Sequence, residues 1–275
     1  NRRARQDEEA LHDLLRAAGY YDAYVSTRVE SGAQETKVTL TAEPGALYRF
    51  HEVDLAGIAD TGDKQAALRK AFPIHAQDPV DADKVTAAIA GLKTQLGREG
   101  FAFAHVGEPD ITVDHATHLA TLRLAVEPRG AKRFGQIRIE GKPLFSAKHL
   151  GRIARFHPGD PYDSKLVDDF RRALIQTSLV SSVQINQVPG ARPDRVDIDV
   201  KLERAPPHTI AGELGYGTGE GARVEVSWTH RNLVKPEGAV TFSGILGTQE
   251  QSLSAQLRRN NYKARDRILT VQAAA

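Results

Sequence analysis

The stretch EPGALYRFHEVDLAG, residues 43–57, decides the fold, because the chain contains this pattern twice. It returns as EPRGAKRFGQIRIEG at residues 127–141, at a constant offset of 84 residues and without a gap. Both copies share an opening Glu-Pro, a central Arg-Phe, alternating apolar residues and a final glycine. A repeat of about 80 residues has the size of a small domain rather than of one solenoid turn.

Two further matches extend the repeat on both sides of this stretch. Residues 19–25 resemble residues 100–106, since both begin with glycine and continue with aromatic residues. At an offset of 82, the residues that match are His75, Asp78, Pro79, Asp81 and Val85 with His157, Asp160, Pro161, Asp163 and Val167. The chain is therefore predicted to consist largely of copies of one domain.

The hydrophobic period changes in a fixed order within one unit. Around Phe50 the apolar residues alternate with a shift of one place, which predicts a strand with a bulge. Asp81 is predicted to cap a long helix that buries residues at steps of three and four. The unit is predicted to run as strand, short helix, long helix ended by Gly97 and Gly100, and strands 101–113 and 117–127.

The neighbouring units follow the same order. The predicted elements of the next unit are strand 133–140, helices 146–155 and 163–176, and strands 179–188 and 194–203. The first unit is cut, and its predicted elements are helix 7–19 and strands 20–30 and 36–43.

After Pro206 and Pro207 no helical period appears again, so a domain boundary is predicted there. The predicted strands are 209–217, 222–231, 238–247 and 251–260, with a fifth beginning at 267. In 222–231 the apolar Val224, Val226 and Trp228 alternate with polar residues. This alternation suits the wall of a membrane barrel and also a soluble β-sandwich.

Composition excludes several classes of function. The 37 basic and 35 acidic residues are interleaved, so no basic stripe indicates nucleic-acid binding. The chain has no cysteine, which excludes disulfides and cysteine nucleophiles. Met is absent even at position 1, which we interpret as a fragment or a processed chain. No window reaches the roughly 18 apolar residues of a spanning helix.

Four side-chain groups that resemble chemical sites are set aside. A phosphate loop at 215–221 needs a helix directly after it, but a strand is predicted there. His115 and His118 lie at a predicted turn, and His75 and His157 lack a matching nucleophile or carboxylate. Asp197 and Asp199 alternate with apolar residues and are expected on a wet sheet face. We therefore predict no enzyme, cofactor or metal site.

The repeated order of strand, two helices and two strands resembles the POTRA module. Residues 212–218, Gly-Glu-Leu-Gly-Tyr-Gly-Thr, look like the first barrel strand and turn of the outer-membrane assembly factor superfamily. Trp228, Asn232-Leu233 and Gly238 fall where its second strand, turn and third strand are expected, and 249–253 looks closest to the branch of TamA, the translocation and assembly module subunit. The resemblance implies an α+β fold of tandem POTRA modules followed by antiparallel strands of an incomplete transmembrane β-barrel.

The resemblance also implies a division of the chain. The expected parts are the C-terminal part of a first POTRA domain at 1–45, a second domain at 46–129, a third at 130–205, and the first strands of a truncated barrel at 206–275. POTRA domains would lie in the periplasm and the barrel in the outer membrane.

The edge strands of such modules are candidates for binding clients. In family members the strand after the long helix is an exposed edge, which can pair with an extended peptide. Here these strands are predicted at 20–30, 101–113 and 179–188, and about half of their residues must face their own core. The candidate residues are Phe101, Phe103, Val106, Leu179, Val183 and Ile185.

The first barrel strand is the second candidate site. By resemblance it pairs weakly with the last strand, so that the seam opens and templates a client strand. Gly212, Gly215 and Gly217, with Tyr216 between them, fit a weak edge, because glycine contributes little packing and costs backbone entropy. The alternative is that these glycines shape a turn.

The resemblance implies an assembly or translocation factor. Its expected partners are unfolded outer-membrane protein or autotransporter clients, a periplasm-spanning inner-membrane partner similar to TamB, and outer-membrane lipid. One alternative is a two-partner secretion transporter, which has two POTRA domains, whereas this chain shows parts of three. Another is a carrier of an enzyme domain upstream of Asn1. Residues 209–275 alone are expected to be disordered or prone to aggregation in water.

Overall fold

The computed structural model describes residues 2–31, 36–217 and 221–275. They belong to two compact units, Asn1–Ala131 and Lys132–Ala275. Among the described residues, no helix is both long and apolar enough to cross a membrane.

The first unit begins with one helix and two strands, in the order predicted for residues 7–43. These are α1 (Arg2–Ala17), β1 (Tyr24–Ser31) and β2 (Thr36–Glu43), and the two strands pair in antiparallel fashion. The helix begins earlier than the predicted residue 7, because its first turns are polar and carry no apolar period. Gly19, with φ of 93°, follows the helix in the left-handed region that favours glycine.

A complete repeat fills the rest of the first unit. Its elements are β3 (Arg49–Ala56), a 3₁₀ helix (Ile58–Lys64), α2 (Gln65–Ala71), α3 (Ala82–Arg98), β4 (His105–Val106), β5 (Asp110–Asp114) and β6 (Leu119–Glu127). The central strand β6 pairs in parallel with β3 on one side and antiparallel with β4 and β5 on the other. Phe50, Leu92 and Leu122 meet in a core between the helices and the sheet. The side chain of Asp81 accepts a hydrogen bond from the Lys84 amide, which confirms the predicted cap.

The second unit opens with another copy of the repeat. Its elements are β7 (Arg133–Glu140), α4 (Ala147–Ile153), α5 (Ser164–Gln176), β8 (Val180–Pro189) and β9 (Arg195–Arg204). The sheet order is β7-β9-β8, with β7 parallel to β9. The pairing shifts register just after Phe134, as it does just after Phe50 in the preceding copy. The bulge predicted around Phe50 is therefore confirmed, and the next repeat has a register shift at the matching place.

A five-stranded antiparallel sheet ends the chain. Its strands are β10 (His208–Gly217), β11 (Gly221–Val234), β12 (Gly238–Gly247), β13 (Gln251–Arg259) and β14 (Leu269–Ala274). Each strand pairs with the next in sequence, so the order is β10-β11-β12-β13-β14. The predicted fold class, tandem repeats of mixed α and β structure followed by antiparallel strands of an incomplete barrel, is confirmed.

The structure corrects the prediction of one strand over 101–113. Residues 101–104 form turns, and only β4 and β5 pair with β6. The interruption at residues 107–109 contains Pro109, which has no amide N–H to donate to a sheet. Gly97 lies inside α3 instead of ending it, whereas Gly100, with φ of 100°, follows the helix in the left-handed region.

Candidate functional site

In each complete repeat, the Asp-Pro segment closes the start of one sheet edge. In the first unit, the Phe50 amide donates to the carbonyl of Asp78, and the Gln77 amide donates to that of Phe50. The carboxylate of Asp78 accepts from the amide of His75 at 2.8 Å, which shapes this segment. These bonds use the outer backbone groups of β3, so a further strand has no partner there.

The second unit repeats this closure on β7. The Phe134 amide donates to the Asp160 carbonyl at 2.9 Å, and the Gly159 amide donates to the Phe134 carbonyl at 2.8 Å. Asp160 also accepts from the His157 amide at 2.7 Å. The matched His and Asp-Pro residues thus have a structural role, and the bulge just beyond them blunts the same edge further.

The opposite edge of each sheet is open within the described residues. In the first unit it consists of the two-residue β4 and the five-residue β5, separated by a gap. In the second unit it is β8, which runs over ten residues and pairs only with β9. The longest uninterrupted repeat edge therefore belongs to β8, with Gln184 and Asn186 among its exposed side chains.

The structure locates the six candidate edge residues in different environments. Phe101 is buried in the core, and Phe103 is half-buried in a turn, so neither lies in a strand. Val106 in β4 and Ile185 in β8 are buried against their own repeats. Leu179 is buried just before β8, and Val183 is half-buried within it. What remains accessible on β8 is chiefly backbone and polar side chains.

The sheet of β10 to β14 has one apolar and one polar face. Ile210, Trp228, Phe242 and Ala255 lie side by side in one cross-strand row. Large apolar side chains on this face are exposed, among them Leu214 at 82 %. An exposed apolar face of this extent is typical of contact with lipid or with a partner.

Hydroxyl groups line the other face of the same sheet. Ser227, Ser243 and Ser254 form one row, in which the hydroxyls of Ser243 and Ser254 lie 2.7 Å apart. Thr229 and Thr241 form a similar pair at 2.9 Å in the next row. An apolar outer face and a polar inner face are the arrangement of a barrel wall.

The first strand of this sheet, β10, has an open edge in the described part of the chain. It pairs only with β11, with Gly212 opposite Val226 and Gly215 opposite Arg223. A Cβ added at Gly215 would meet no atom within 4 Å, and at Gly212 only an ordinary contact. These two glycines therefore lie within a regular strand and do not shape a turn. Tyr216 is 81 % exposed, Gly217 ends the strand, and Thr218 lies outside the described residues.

A buried polar network joins the turns of this sheet to the preceding repeat. The turn between β11 and β12 contains Glu237, whose side chain is 2 % exposed. Its Oε1 lies 2.5 Å from Nε2 of the buried His149 in α4. The side-chain amide of Asn261, in the turn after β13, donates to both carboxylate oxygens at 3.0 and 2.9 Å. One carboxylate thus links two turns to one helix.

A second cluster lies at the same junction. Arg265, in the turn between β13 and β14, donates to the carbonyl of Ile153 at the end of α4 and contacts the carboxylate of Asp169 in α5. Arg155 donates to Asp266 at 2.8 Å. Together with the Glu237 network, these contacts hold the turns of the sheet against both helices of the repeat.

The first unit has its own polar joint, between its opening segment (α1, β1 and β2) and the complete repeat. The hydroxyl of Tyr48 donates to the carboxylate of Asp22 at 2.7 Å, and Nδ1 of His115 lies 2.7 Å from the same carboxylate. These hydrogen bonds, that of Tyr48 first, lower the pKa of Asp22 below its ordinary value. Burial, reinforced by Asp22, raises the pKa of Tyr48 to about 12.

Two of the groups set aside in the sequence differ from expectation. Asp197 is only 7 % exposed and accepts from the Gln136 amide in the bulge of β7, so the predicted wet position is wrong for it. Its neighbour Asp199 accepts from Arg138 at 2.8 Å. His115 and His118 approach Asp22, but no group of three or more potential metal ligands is found in the described ranges.

Sequence reasoning missed the junction residues His149 and Glu237. Glu237 lies in the segment Lys235-Pro236-Glu237-Gly238, which reads as an ordinary solvated turn. His149 directly follows Lys148 and lies three places before Arg152, so its burial is not evident from the sequence. The pairing joins positions 88 residues apart, and no local pattern signals such a contact.

Comparison with known proteins supports the repeat assignment. The family described as "POTRA: Surface antigen variable number repeat" matches residues 48–129 and 132–204, which together make up more than half of the chain.

Two curated relatives are outer membrane protein assembly factors BamA. The protein of Neisseria meningitidis serogroup B is 24% identical over 270 residues, which cover 94% of this chain and 31% of the relative. That of Buchnera aphidicola is 21% identical over 231 residues, covering 82% and 37%. The chain thus spans about a third of the length of these relatives.

Two solved structures share the fold. BamA from Haemophilus ducreyi lacking POTRA domains 1-3 matches with a TM-score of 0.69 at 18% identity, over 82% of this chain and 42% of that one. The POTRA3-5 fragment of Haemophilus influenzae BamA matches with a TM-score of 0.52 at 22% identity, over 73% and 80%. From the repeats, the two-faced sheet and these matches, the chain belongs to the POTRA family within the outer-membrane assembly factor superfamily, as an outer-membrane protein with periplasmic POTRA domains.

Proposed function

We propose that the chain assembles or translocates outer-membrane proteins, with its repeats receiving unfolded β-rich clients by strand addition. The observation that carries the proposal is the open, ten-residue edge of β8 beside a sheet whose other edge is closed at its start. Pairing along a backbone edge requires strand propensity in the client and little specific sequence. Unfolded barrel proteins offer many such strands.

The first barrel strand, around Gly212, Gly215, Tyr216 and Gly217, is proposed as the second client site. Gly212 and Gly215 contribute no side-chain packing, although side chains would fit at both positions. A strand of this kind is held mainly by its ladder with β11, so its free edge can exchange one partner strand for another. A client strand that leaves β8 could then pair with β10.

A finer assignment within the superfamily is also proposed. The helix and two strands before the two complete repeats fit a third POTRA domain, giving the division 1–45, 46–129, 130–205 and 206–275. Three such domains suit the TamA branch, with autotransporter clients and a TamB-like partner that spans the periplasm. The apolar face of the sheet would contact outer-membrane lipid.

Photo-crosslinking of a client peptide tests strand addition to β8. We would place a photoreactive amino acid at Gln184 in β8, or at its cross-strand neighbour Lys201 in the central β9, in the full chain. Adjacent strands lie about 4.8 Å apart, so an added strand is about twice as far from β9 as from β8. An unfolded barrel-strand peptide should be labelled several times more strongly from Gln184.

The matched control is the same peptide with N-methyl groups on alternate residues, which removes the donors along one edge. This peptide should lose labelling from Gln184 if the backbone carries the contact, whereas side-chain binding would leave the labelling unchanged. Equal labelling from both positions would contradict the proposal.

A further inference from the structure

We propose that a basic cleft between α4 and the turn after β11 binds the phosphate group of an outer-membrane phospholipid. The cleft has a volume of about 390 Å³. Its polar lining comes from Ser146, Lys148, His149, Arg152, Asn232 and Lys235. The inference rests on the insertion of the β10–β14 sheet in the membrane, and it adds a lipid site that client binding does not require.

Three cations converge on this cleft from two elements. Lys148 and Arg152 lie four residues apart on α4 and therefore on the same side of that helix. Lys235 approaches from the turn that follows β11. A phosphate group carries several acceptor oxygens, so cations and hydroxyl donors at its sides match its chemistry.

The charges of these three residues are not neutralised within the described residues. None of them is in an ion pair there, whereas Arg138, Arg155 and Arg265 of the same unit all contact carboxylates. The nearby Glu237, which is bound to His149 and Asn261, brings one negative charge against these three cations. The cleft therefore presents net positive charge to a ligand.

One polar group of the lining is also unsatisfied. The side-chain oxygen of Asn232 is buried and has no hydrogen-bond partner among the described atoms. Because the oxygen and nitrogen of an amide can exchange places, this side chain can offer N–H donors to a bound anion.

The surroundings of the cleft favour a lipid over a free anion. Leu144, Phe145 and Pro236 form an apolar part of its wall. Leu233 and Val234, just before Lys235, are exposed by 52 and 37 % at the end of a strand with an apolar face. Apolar residues followed at once by a cation are typical of a membrane boundary, where basic pockets bind lipid headgroups. A free phosphate would leave this apolar wall without a partner.

Native mass spectrometry of the full chain in detergent micelles tests the site. We would titrate a phosphatidylglycerol, and in a separate arm inorganic phosphate, against the wild type and the variant Lys148→Gln/Arg152→Gln/Lys235→Gln. Each cation near a lipid headgroup contributes about fivefold in affinity, so the variant should bind the lipid roughly 100-fold more weakly. Inorganic phosphate should bind the wild type far more weakly than the lipid does.

The matched control removes the same charge from the other unit, as Lys70→Gln/Lys93→Gln/Arg98→Gln. These three residues are exposed, and the control should retain the lipid with the affinity of the wild type. An equal loss in the control, no loss in the cleft variant, or equal binding of inorganic phosphate and lipid would overturn the proposal.

Client crosslinking from Gln184 in the same samples separates the two proposals. Loss of lipid in the cleft variant, with crosslinking from Gln184 equal to that of the wild type, supports the lipid site. Crosslinking without any loss of lipid in the variant overturns the lipid site and leaves the proposed function standing.

Discussion

At the scale of single residues, carboxylates occupy the joints of this chain. Asp22 joins the opening segment of the first unit to the complete repeat through Tyr48 and His115, and Glu237 joins two sheet turns to α4. A carboxylate suits this position, because it accepts several hydrogen bonds at once and each is strengthened by its charge.

Lowering the pH should weaken the Asp22 joint. Because the folded-state pKa of Asp22 lies below its unfolded value, its contribution is complete above the unfolded pKa and disappears as the pH falls through the folded pKa. We expect Asp22→Asn to lower the urea midpoint at pH 7 and to flatten the decline of that midpoint below about pH 4. Urea unfolding of the full chain, followed by tyrosine fluorescence between pH 2 and 7, measures both effects.

The control for this prediction is Asp83→Asn, in the exposed first turn of α3. Its pH profile should run parallel to that of the wild type. A profile of Asp22→Asn as steep as the wild-type profile would show that other acidic groups cause the decline.

Residue roles could be predicted from the sequence only where they are local. The cap at Asp81 was predictable, because an N-cap bonds an amide three residues later. Strand alternation predicts a wet face for Asp197. Its carboxylate nevertheless accepts a hydrogen bond from the backbone amide of Gln136, in the bulge that follows Phe134. Glu237 is buried by a contact across 88 residues, which alternation and turn patterns do not encode.

At the scale of elements, successive side chains of β11 lie on opposite faces of the sheet, in two different environments. Val226 lies in the exposed apolar face, and Ser227 lies in the row of hydroxyls. The alternation in the sequence predicted these faces correctly but fitted a soluble sandwich as well. The neighbouring strands decide between the two, because their apolar residues fall in the same rows and no other layer of the described chain covers them.

A charge on the two faces should therefore have different costs. We expect Val226→Lys to destabilise the membrane-inserted full chain by about 2 kcal/mol or more, since a lysine would face lipid hydrocarbon. Ser227→Lys, on the polar face, should change stability by less than about 1 kcal/mol. Reversible urea titration in lipid bilayers measures both, and equal costs would contradict the assignment of the faces.

Strand boundaries were harder to predict than strand existence. The stretch 101–113 is apolar enough to suggest one strand, but Pro109 cannot continue the ladder and Phe101 turns into the core. Pro109 indicates a break in the strand, whereas the aromatic residues before it favour a continuous strand. As a result, the open edge of the first complete repeat is short, whereas β8 contains no internal proline and forms a long one.

At the scale of the whole molecule, the sequence repeat predicted most of the architecture. The constant offset of 84 residues predicted two copies of one domain. In the structure, the bulge, the Asp-Pro segment and the helix caps recur in both copies. The junction between the last repeat and the sheet has no second copy in the chain, so no internal comparison could reveal it.

Separating the terminal sheet from its repeat should be costly in water. We expect a fragment of residues 209–275 to aggregate or remain unfolded, because its apolar face is exposed and it loses the contacts of Glu237 and Arg265 with α4 and α5. Analytical ultracentrifugation and circular dichroism with and without detergent test this. A monomeric, folded fragment in plain buffer would contradict the barrel assignment.

The one-sided closure of the repeat sheets also limits how copies of the chain can associate. In polymer chemistry, a monomer with two reactive ends grows into a chain, whereas a monomer with one reactive end stops at a pair. In the repeat of the second unit, the Asp-Pro segment and the bulge block the start of the β7 edge, so the β8 edge is its one reactive end that is open over its whole length within the described residues. It can take up one client strand or one neighbour, and fibre growth through its sheet ends at that step.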